Sequence, residues 1–233
     1  MDAAWAGGNG IQRRRVLRRR LSRALLPYVL AAALFNVPLL CGGAALAAAQ
    51  RVLLLGDSIS AGYGLPADEA LPAQLQAALR KAGYHVDVIN GGVSGDTTAG
   101  GLARLDWMLA EKPDIVVVEL GGNDGLRGLD PKETYTNLDR ILDRLAQAKV
   151  RVLLAGMLAP PNLGADYGRD FDGIYPALAK RHHCLLVPFI LDGVAAKAAL
   201  NQADGIHPNA KGVQAIVRLM LPYMEKLLAA GTG

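Results

Sequence analysis

The sequence predicts an α/β protein: a five-stranded parallel sheet with helices on both faces, three layers in all. Two observations predict it. Short apolar runs alternate five times with longer stretches of helical spacing. The first run, Arg51-Val-Leu-Leu-Leu55, is apolar right up to Gly56, as a strand buried on both faces is. Strands that alternate with helices of this length pair in parallel, because each crossover returns the chain to the same edge.

The elements follow in order. Strand one is Arg51 to Leu55. From Glu69 to Ala82 the spacing is helical, with Leu71, Leu75, Ala78 and Leu79 on one face. Pro72 falls in the first turn, where its missing N–H is tolerated, and Gly83 ends the helix. His85 to Asn90 alternates and reads as strand two. Thr97 or Thr98 can cap a helix that reaches about Glu111, and Trp107 and Met108 are expected in its core face. Asp114 to Leu120, rich in β-branched residues, is strand three. Asp130-Pro131 opens a helix, a capping acid before a proline at the first helical position. It runs to about Ala148 with Leu138, Ile141, Leu142 and Leu145 inward. Val150 to Met157 is strand four, and residues 158–168 form a loop. One helix follows to about Arg181, then strand five near Cys184 to Phe189. The last helix starts near Pro208 and reaches about Leu228.

Upstream of the domain the composition changes. Seven arginines (13, 14, 15, 18, 19, 20 and 23) stand against Asp2 in the first 23 residues, and residues 24–49 carry no charge. A basic segment, an apolar segment and the small residues Ala44 to Ala49 describe a secretory signal peptide over residues 1–47, with cleavage after Ala47 or after Ala49. The apolar stretch is also long enough to span a bilayer as an uncleaved anchor, although Pro27, Asn36 and Pro38 interrupt it. Arg13-Arg14-Arg15 loosely resembles a twin-arginine signal. Cys41 would suit a lipoprotein, but Leu40 precedes it where a small residue is expected. A periplasmic or secreted product follows from the cleaved reading, a membrane-anchored one from the other.

Removing the leader takes away seven of the 25 basic residues and one of the 21 acidic ones, so the net charge turns from +4 to −2. The basic balance therefore belongs to the leader and does not describe a nucleic-acid surface. Residues 48–233 keep one cysteine, Cys184, so no disulfide can form within them. Their length fits a single domain with one core.

In sheets of this kind ligands bind outside the carboxyl ends of the strands. Ser58 follows strand one, Gly95 strand two and Asn123 strand three, and His207 lies on the loop after strand five. All four fall on one rim. A serine hydroxyl needs a base to take its proton, and histidine, with an ordinary pKa of about 6.5, suits that role near neutral pH. A carboxylate on the other ring nitrogen fixes the tautomer. Asp204 and His207 stand three residues apart, Gly205 permits the turn between them, and Pro208 is expected to start the final helix. Attack on an acyl carbonyl also creates an oxyanion. Ser58 N–H, Gly95 N–H and the Asn123 side-chain amide are the candidate donors. Leu126, Leu129, Leu158 and Leu163, on the loops after strands three and four, are candidates to line an acyl groove at the same rim, or else to pack beneath those loops.

Each motif alone has a plainer reading. Gly-Asp-Ser and Gly-Gly-Asn-Asp are turn sequences, and Asp204 could cap the last helix. His182 and His183 end a helix, where cations are favoured, and with Cys184 they lack the further ligand a metal site needs. No metal or cofactor is therefore expected. No G-x-S-x-G, Walker A, G-x-G-x-x-G after strand one, or H-E-x-x-H is present, which excludes the commonest alternative chemistries.

The blocks Leu54-Gly-Asp-Ser-Ile-Ser-Ala-Gly-Tyr63, Ser94-Gly-Asp-Thr-Thr98, Gly101-Leu-Ala-Arg-Leu105, Val118-Glu-Leu-Gly-Gly-Asn-Asp-Gly-Leu-Arg-Gly128 and Asp204-Gly-Ile-His-Pro-Asn209 resemble the SGNH (GDSL-type) hydrolases. The resemblance is strongest to the bacterial periplasmic branch of thioesterase I, arylesterase and lysophospholipase. It implies a flavodoxin-like fold, with Ser58 as nucleophile, Asp204 and His207 completing a triad, and Ser58, Gly95 and Asn123 as oxyanion donors. It also implies an acyl-enzyme route on small-molecule esters, thioesters or lysophospholipids, with no cofactor and membrane contact only through the leader or a lipid substrate. A carbohydrate O-acetyl esterase and a non-catalytic acyl-binding module are the alternatives. The intact Ser58, Asp204 and His207 argue against the second.

Overall fold

The computed structural model describes residues 48–230, so the leader expected over residues 1–47 lies outside the described residues. Five strands form one sheet: β1 Gln50–Gly56, β2 Val86–Gly92, β3 Ile115–Glu119, β4 Arg151–Ala155 and β5 Leu185–Val187. All pairings are parallel and the spatial order is β2-β1-β3-β4-β5. This is the flavodoxin-like order, in which the chain winds outward in both directions from β1 and leaves a crevice at the carboxyl ends of β1 and β3. Gly56 pairs with Glu119 in that register, which brings the segments after these two strands side by side.

The helices complete three layers. They are α1 Ser58–Ala61, α2 Leu71–Lys81, α3 Thr98–Leu109, α4 Gly122–Leu126, α5 Pro131–Gln147, α6 Ala165–Asp172, α7 Ile174–His182 and α8 Ala210–Ala229. One face is covered by α2 packed on α8, the other by α5 packed between α3 and α7. Val52, Leu53, Leu54 and Leu55 are wholly buried, as a strand covered on both sides requires. Each such side chain stabilises the fold by about 1.5–3 kcal/mol through the apolar surface it removes from water. Leu138, Ile141, Leu142 and Leu145 form the inward stripe of α5, and the Asp130 side chain caps that helix by accepting the Lys132 N–H at 2.9 Å.

Four expectations from the sequence are corrected. The stretch read as loop 158–168 and one helix holds a 3-10 turn, Pro161–Leu163, and two helices, α6 and α7, that break at Gly173. Pro176 explains the break: it has no N–H to donate to the Asp172 carbonyl four residues back, and its ring crowds that carbonyl. The last helix starts at Ala210, not at Pro208. Asn209 caps it by accepting the Lys211 and Gly212 N–H groups, while Pro208 pairs antiparallel with Asn201. Trp107 is 76% exposed although Met108 is buried. Gly101, Leu105 and Met108 repeat along the inner stripe of α3, and a residue one position before Met108 points about 100° away. Two short helices, α1 and α4, replace what reads as plain turns.

Candidate active site

β1 delivers the first functional residue. Gly56 has to be glycine, because a Cβ there would lie 2.1 Å from Ser60 Oγ and 2.4 Å from Glu119 Oε2. Asp57 then caps α1, its Oδ1 accepting the Ile59 N–H at 3.0 Å. Ser58 is the first residue of α1 and largely buried. A backbone N–H at that position has no acceptor within the helix.

The loop before α8 delivers the second. Residues 201–208 fold back on themselves: Asn201 bridges Pro208, the Gln202 N–H donates to the His207 carbonyl at 2.8 Å, and Gly205 takes a left-handed φ of 73° at the tip. Asp204 Oδ1 accepts the Ile206 and His207 N–H groups at 2.9 and 3.0 Å, and Oδ2 stands 2.6 Å from His207 Nδ1. The His207 backbone N–H, followed by its ring and the Ile206 N–H, holds the Asp204 carboxyl down to about 2, so the group is a carboxylate. A carboxylate accepts only, so Nδ1 carries the ring hydrogen and Nε2 is left as an acceptor. His207 Nε2 lies 2.9 Å from Ser58 Oγ. The three residues form one line from carboxylate through imidazole to hydroxyl. Asp204 does not cap the final helix.

Asn123 sits in α4, which follows β3 through Gly121. Gly121 adopts φ 108°, and a Cβ there would meet the buried Tyr175 hydroxyl at 2.1 Å. Asn123 Nδ2 donates to Asp57 Oδ2 at 3.0 Å and to the Asp96 carbonyl at 2.9 Å. Both neighbours are acceptors, which fixes the amide's orientation. Gly95 stands next to Asp96 at φ 81°, and its carbonyl accepts from Arg127 Nη2 at 2.7 Å. Its N–H thus belongs to a turn tied to α4 on two sides. Asp96 is also ion-paired with Arg104 at 2.8 Å, and that guanidinium reaches the Gly56 carbonyl at 2.9 Å.

A groove of about 410 Å³ opens beside these residues. Ser58, Asn123 and His207 line it together with the apolar side chains Leu126, Met157, Leu158, Phe189, Leu191 and Ile206. Leu126 and Leu158 are thus brought to the groove, whereas Leu129 and Leu163 are not among its lining residues. Met157, Phe189 and Leu191 were legible only as strand ends or loop residues. What singles them out is that β4 and β5 end on this rim, which a strand count alone does not turn into a side-chain direction. A larger depression of about 560 Å³, lined by Asp130, Lys132, Tyr135 and Arg169 among others, holds no paired nucleophile and base. Among the described residues no group of three or more histidine, cysteine, aspartate or glutamate side chains is placed to hold a metal. His182 instead contacts Asp139 Oδ1 at 2.7 Å.

The chain is similar to several known proteins. The family model for GDSL-like Lipase/Acylhydrolase proteins matches residues 54–215. The chain is 45% identical over 183 residues to Esterase TesA of Pseudomonas aeruginosa, covering 78% of this chain and 91% of that protein. It is 40% identical over 189 residues to the Arylesterase of Vibrio mimicus, covering 81% and 94%. To the Thioesterase 1/protease 1/lysophospholipase L1 of Escherichia coli it is 42% identical over 183 residues, covering 78% and 86%. Among solved structures, that of TesA superposes with a TM-score of 0.73 at 44% identity, covering 76% of this chain and 99% of that one. The esterase EstA of Pseudoalteromonas sp., inhibited by monoethylphosphonate, superposes with a TM-score of 0.73 at 34% identity, covering 77% and 99%.

Proposed function

Since the chain belongs to the GDSL-like lipase/acylhydrolase family and is a hydrolase of ester bonds, we propose that it is a secreted serine hydrolase of carboxylic esters and thioesters that works through an acyl-enzyme. The observation that carries the mechanism is the line Asp204–His207–Ser58, with contacts of 2.6 and 2.9 Å. His207 Nε2 takes the Ser58 proton as Oγ attacks the carbonyl carbon. The negative charge that develops on the substrate oxygen is met by the Ser58 N–H, the Gly95 N–H and the Asn123 amide. His207 then returns the proton to the departing alcohol or thiol. Water, deprotonated by the same imidazole, releases the acid and restores Ser58.

The substrate reading rests on the groove. Its wall of Leu126, Met157, Leu158, Phe189 and Leu191 suits an acyl chain rather than a sugar. Small-molecule esters, thioesters and lysophospholipids all present such a chain. The thioester arm draws on the E. coli relative named as a thioesterase and lysophospholipase. Secretion draws on the leader pattern of residues 1–47, and the mature protein is expected to begin at Ala48 or Gln50.

An oxygen ester and a thioester of the same acid test the acyl-enzyme. Hydrolysis in the presence of hydroxylamine should divide the acyl group between acid and hydroxamate in one ratio for both leaving groups, because both pass through the same Ser58 ester. A ratio that changes with the leaving group would mean that water attacks the substrate directly.

A further inference from the structure

The mechanism leaves one buried acid without a task. Glu119 ends β3 opposite Gly56 and is fully buried. Its Oε2 accepts three hydrogen bonds from the nucleophile turn: the Ser60 hydroxyl at 2.6 Å, the Ser60 N–H at 3.2 Å and the Asp57 N–H at 3.3 Å. Its Oε1 is equally buried and receives no donor. Neighbouring Asp57 is 2% exposed, and its two oxygens take the Ile59 N–H and the Asn123 amide, both at 3.0 Å.

We propose that Glu119 is a positioning residue that works as a neutral acid, its Oε1–H holding the Asp57 carboxylate and Asp57 in turn holding the Asn123 amide at the rim. The inference rests on the reading of Asn123 as an oxyanion donor.

Three features of the Glu119–Asp57 pair point to it. The first is the division of labour within the carboxyl group. Oε2 already faces three donors, so a hydrogen on Glu119 has room only on Oε1. An ionised Glu119 would leave Oε1 bare inside the protein, and a buried acceptor without a donor is unfavourable. As an O–H the same atom becomes a donor, and Asp57, whose N–H is already on Oε2, is the buried carboxylate beside it.

The second is charge. Two carboxylates buried side by side repel unless a cation joins them. Arg104 is the guanidinium bonded to this turn, through the Gly56 carbonyl, and its Nε is on Asp96. Among the described residues no cation forms an ion pair with Asp57 or Glu119. The other polar groups nearby do not supply one: the Tyr175 hydroxyl donates to the Leu120 carbonyl, Asp124 is bound by Thr98, and His207 faces Ser58.

The third is the balance between the two acids. Desolvation, then the Asp57 charge, push the Glu119 carboxyl well above the usual carboxylate range. Desolvation raises Asp57 too, but the Ile59 N–H, the Glu119 side chain, His207 and Asn123 all oppose it. The proton of the pair therefore resides on Glu119. One residue then ties both halves of the site: the Ser58 turn through Ser60 and Asp57 N–H, and the oxyanion amide through the Asp57 side chain.

Replacing Glu119 by glutamine tests this, because the amide keeps a carbonyl for the three donors and an N–H for Asp57. E119Q should retain kcat close to the parent enzyme. E119A should lose kcat on the order of 10²-fold with little change in KM, as misplacement of a reacting group does. The infrared spectrum near neutral pH should contain the stretch of a protonated carboxyl, present in the parent enzyme and in S58A and missing from E119Q. An absent band, or an E119Q kcat as low as that of E119A, would show that Glu119 acts as an anion. An E119A enzyme with undiminished kcat would show that it positions nothing. If E119A does not fold, the band and E119Q decide. Turnover surviving in S58A would overturn the nucleophile assignment instead and leave the carboxyl band untouched.

Discussion

The ring of Tyr63 lies 4.5 Å from that of His207, centroid to centroid, and is tilted 36° to it. Tyr63 is held on both sides: its N–H donates to the Ser58 carbonyl at 3.0 Å, and its carbonyl accepts from Gln202 Nε2 at 2.7 Å. It therefore joins α1, which carries Ser58, to the loop that carries His207. An aromatic face on an imidazole restrains the ring and favours its cationic form as the proton is taken. Tyr63→Ala should lower kcat/KM by roughly 2- to 13-fold, the equivalent of about 0.5–1.5 kcal/mol for such a pair. Tyr63→Phe should be nearly neutral. Equal losses in both variants would show that the hydroxyl matters and the stacking does not.

Asn123 is expected to stabilise the oxyanion. Asn123→Ala should cut kcat by about 10²–10³, the usual effect of removing one such donor, and leave KM almost unchanged. In the free enzyme both amide hydrogens are engaged, by Asp57 and by the Asp96 carbonyl, so the developing charge must share one of them. Steady-state kinetics on one ester decides: a raised KM at full kcat would assign Asn123 to ground-state binding.

The sheet and the site were legible in the sequence to different degrees. The strands stood out because apolar runs such as Val52 to Leu55 are buried on both faces, and the rim followed from where they end. Ser58, Asn123 and His207 meet at the groove because each lies just beyond a parallel strand or in the loop after β5. What the sequence did not disclose depends on contacts between distant segments. Trp107 and Met108 are adjacent and equally apolar in character, and only the packing of α3 puts one outside. Leu129 and Leu158 look alike as loop leucines, yet only the second lines the groove. Glu119 falls inside strand three as an isolated acid, and its place next to Asp57 exists only once β1 and β3 are in register. The leader's pattern lies outside the described residues.

Asp204 should govern behaviour in acid. Its carboxyl is held at about 2, against an ordinary value of 3.8. A depressed value means that the native state favours the ionised form, so the contribution to stability is full above the ordinary value and is lost as the pH falls through about 2. Protonation of Asp204 therefore does not account for loss of activity in milder acid. The kcat/KM profile of the parent enzyme should fall on acidification from near neutrality. Asp204→Asn should depress kcat by about 10⁴ near neutral pH, since the tautomer is no longer fixed. A rate independent of pH between roughly 5 and 8, with hydrolysis rate-limiting, would count against a histidine base.

Acyl-chain preference should depend on Leu158 and not on Leu163. Leu158 lines the groove and is exposed, while Leu163 is outside the lining. Each methylene buried against that wall contributes up to about 0.8 kcal/mol, so kcat/KM should rise up to about fourfold per methylene until the groove is full. Leu158→Ser should flatten the rise and spare acetyl esters, and Leu163→Ser should leave the profile as it was. A Leu158→Ser enzyme weakened equally on every chain length would mean that the residue supports the fold, with the acyl groove elsewhere.

Ser58 is expected to be the nucleophile. Three serines lie near the rim, and their surroundings differ. Ser60 is fully buried and its hydroxyl is bound to Glu119. Ser94 is exposed, while Ser58 Oγ contacts His207 Nε2 at 2.9 Å. Peptide mapping of the protein after reaction with a fluorophosphonate reads the answer directly. A single adduct on Ser58, lost together with turnover in Ser58→Ala while the fold persists, is the predicted result. An adduct on Ser60 or Ser94, or an active Ser58→Ala enzyme, would contradict it.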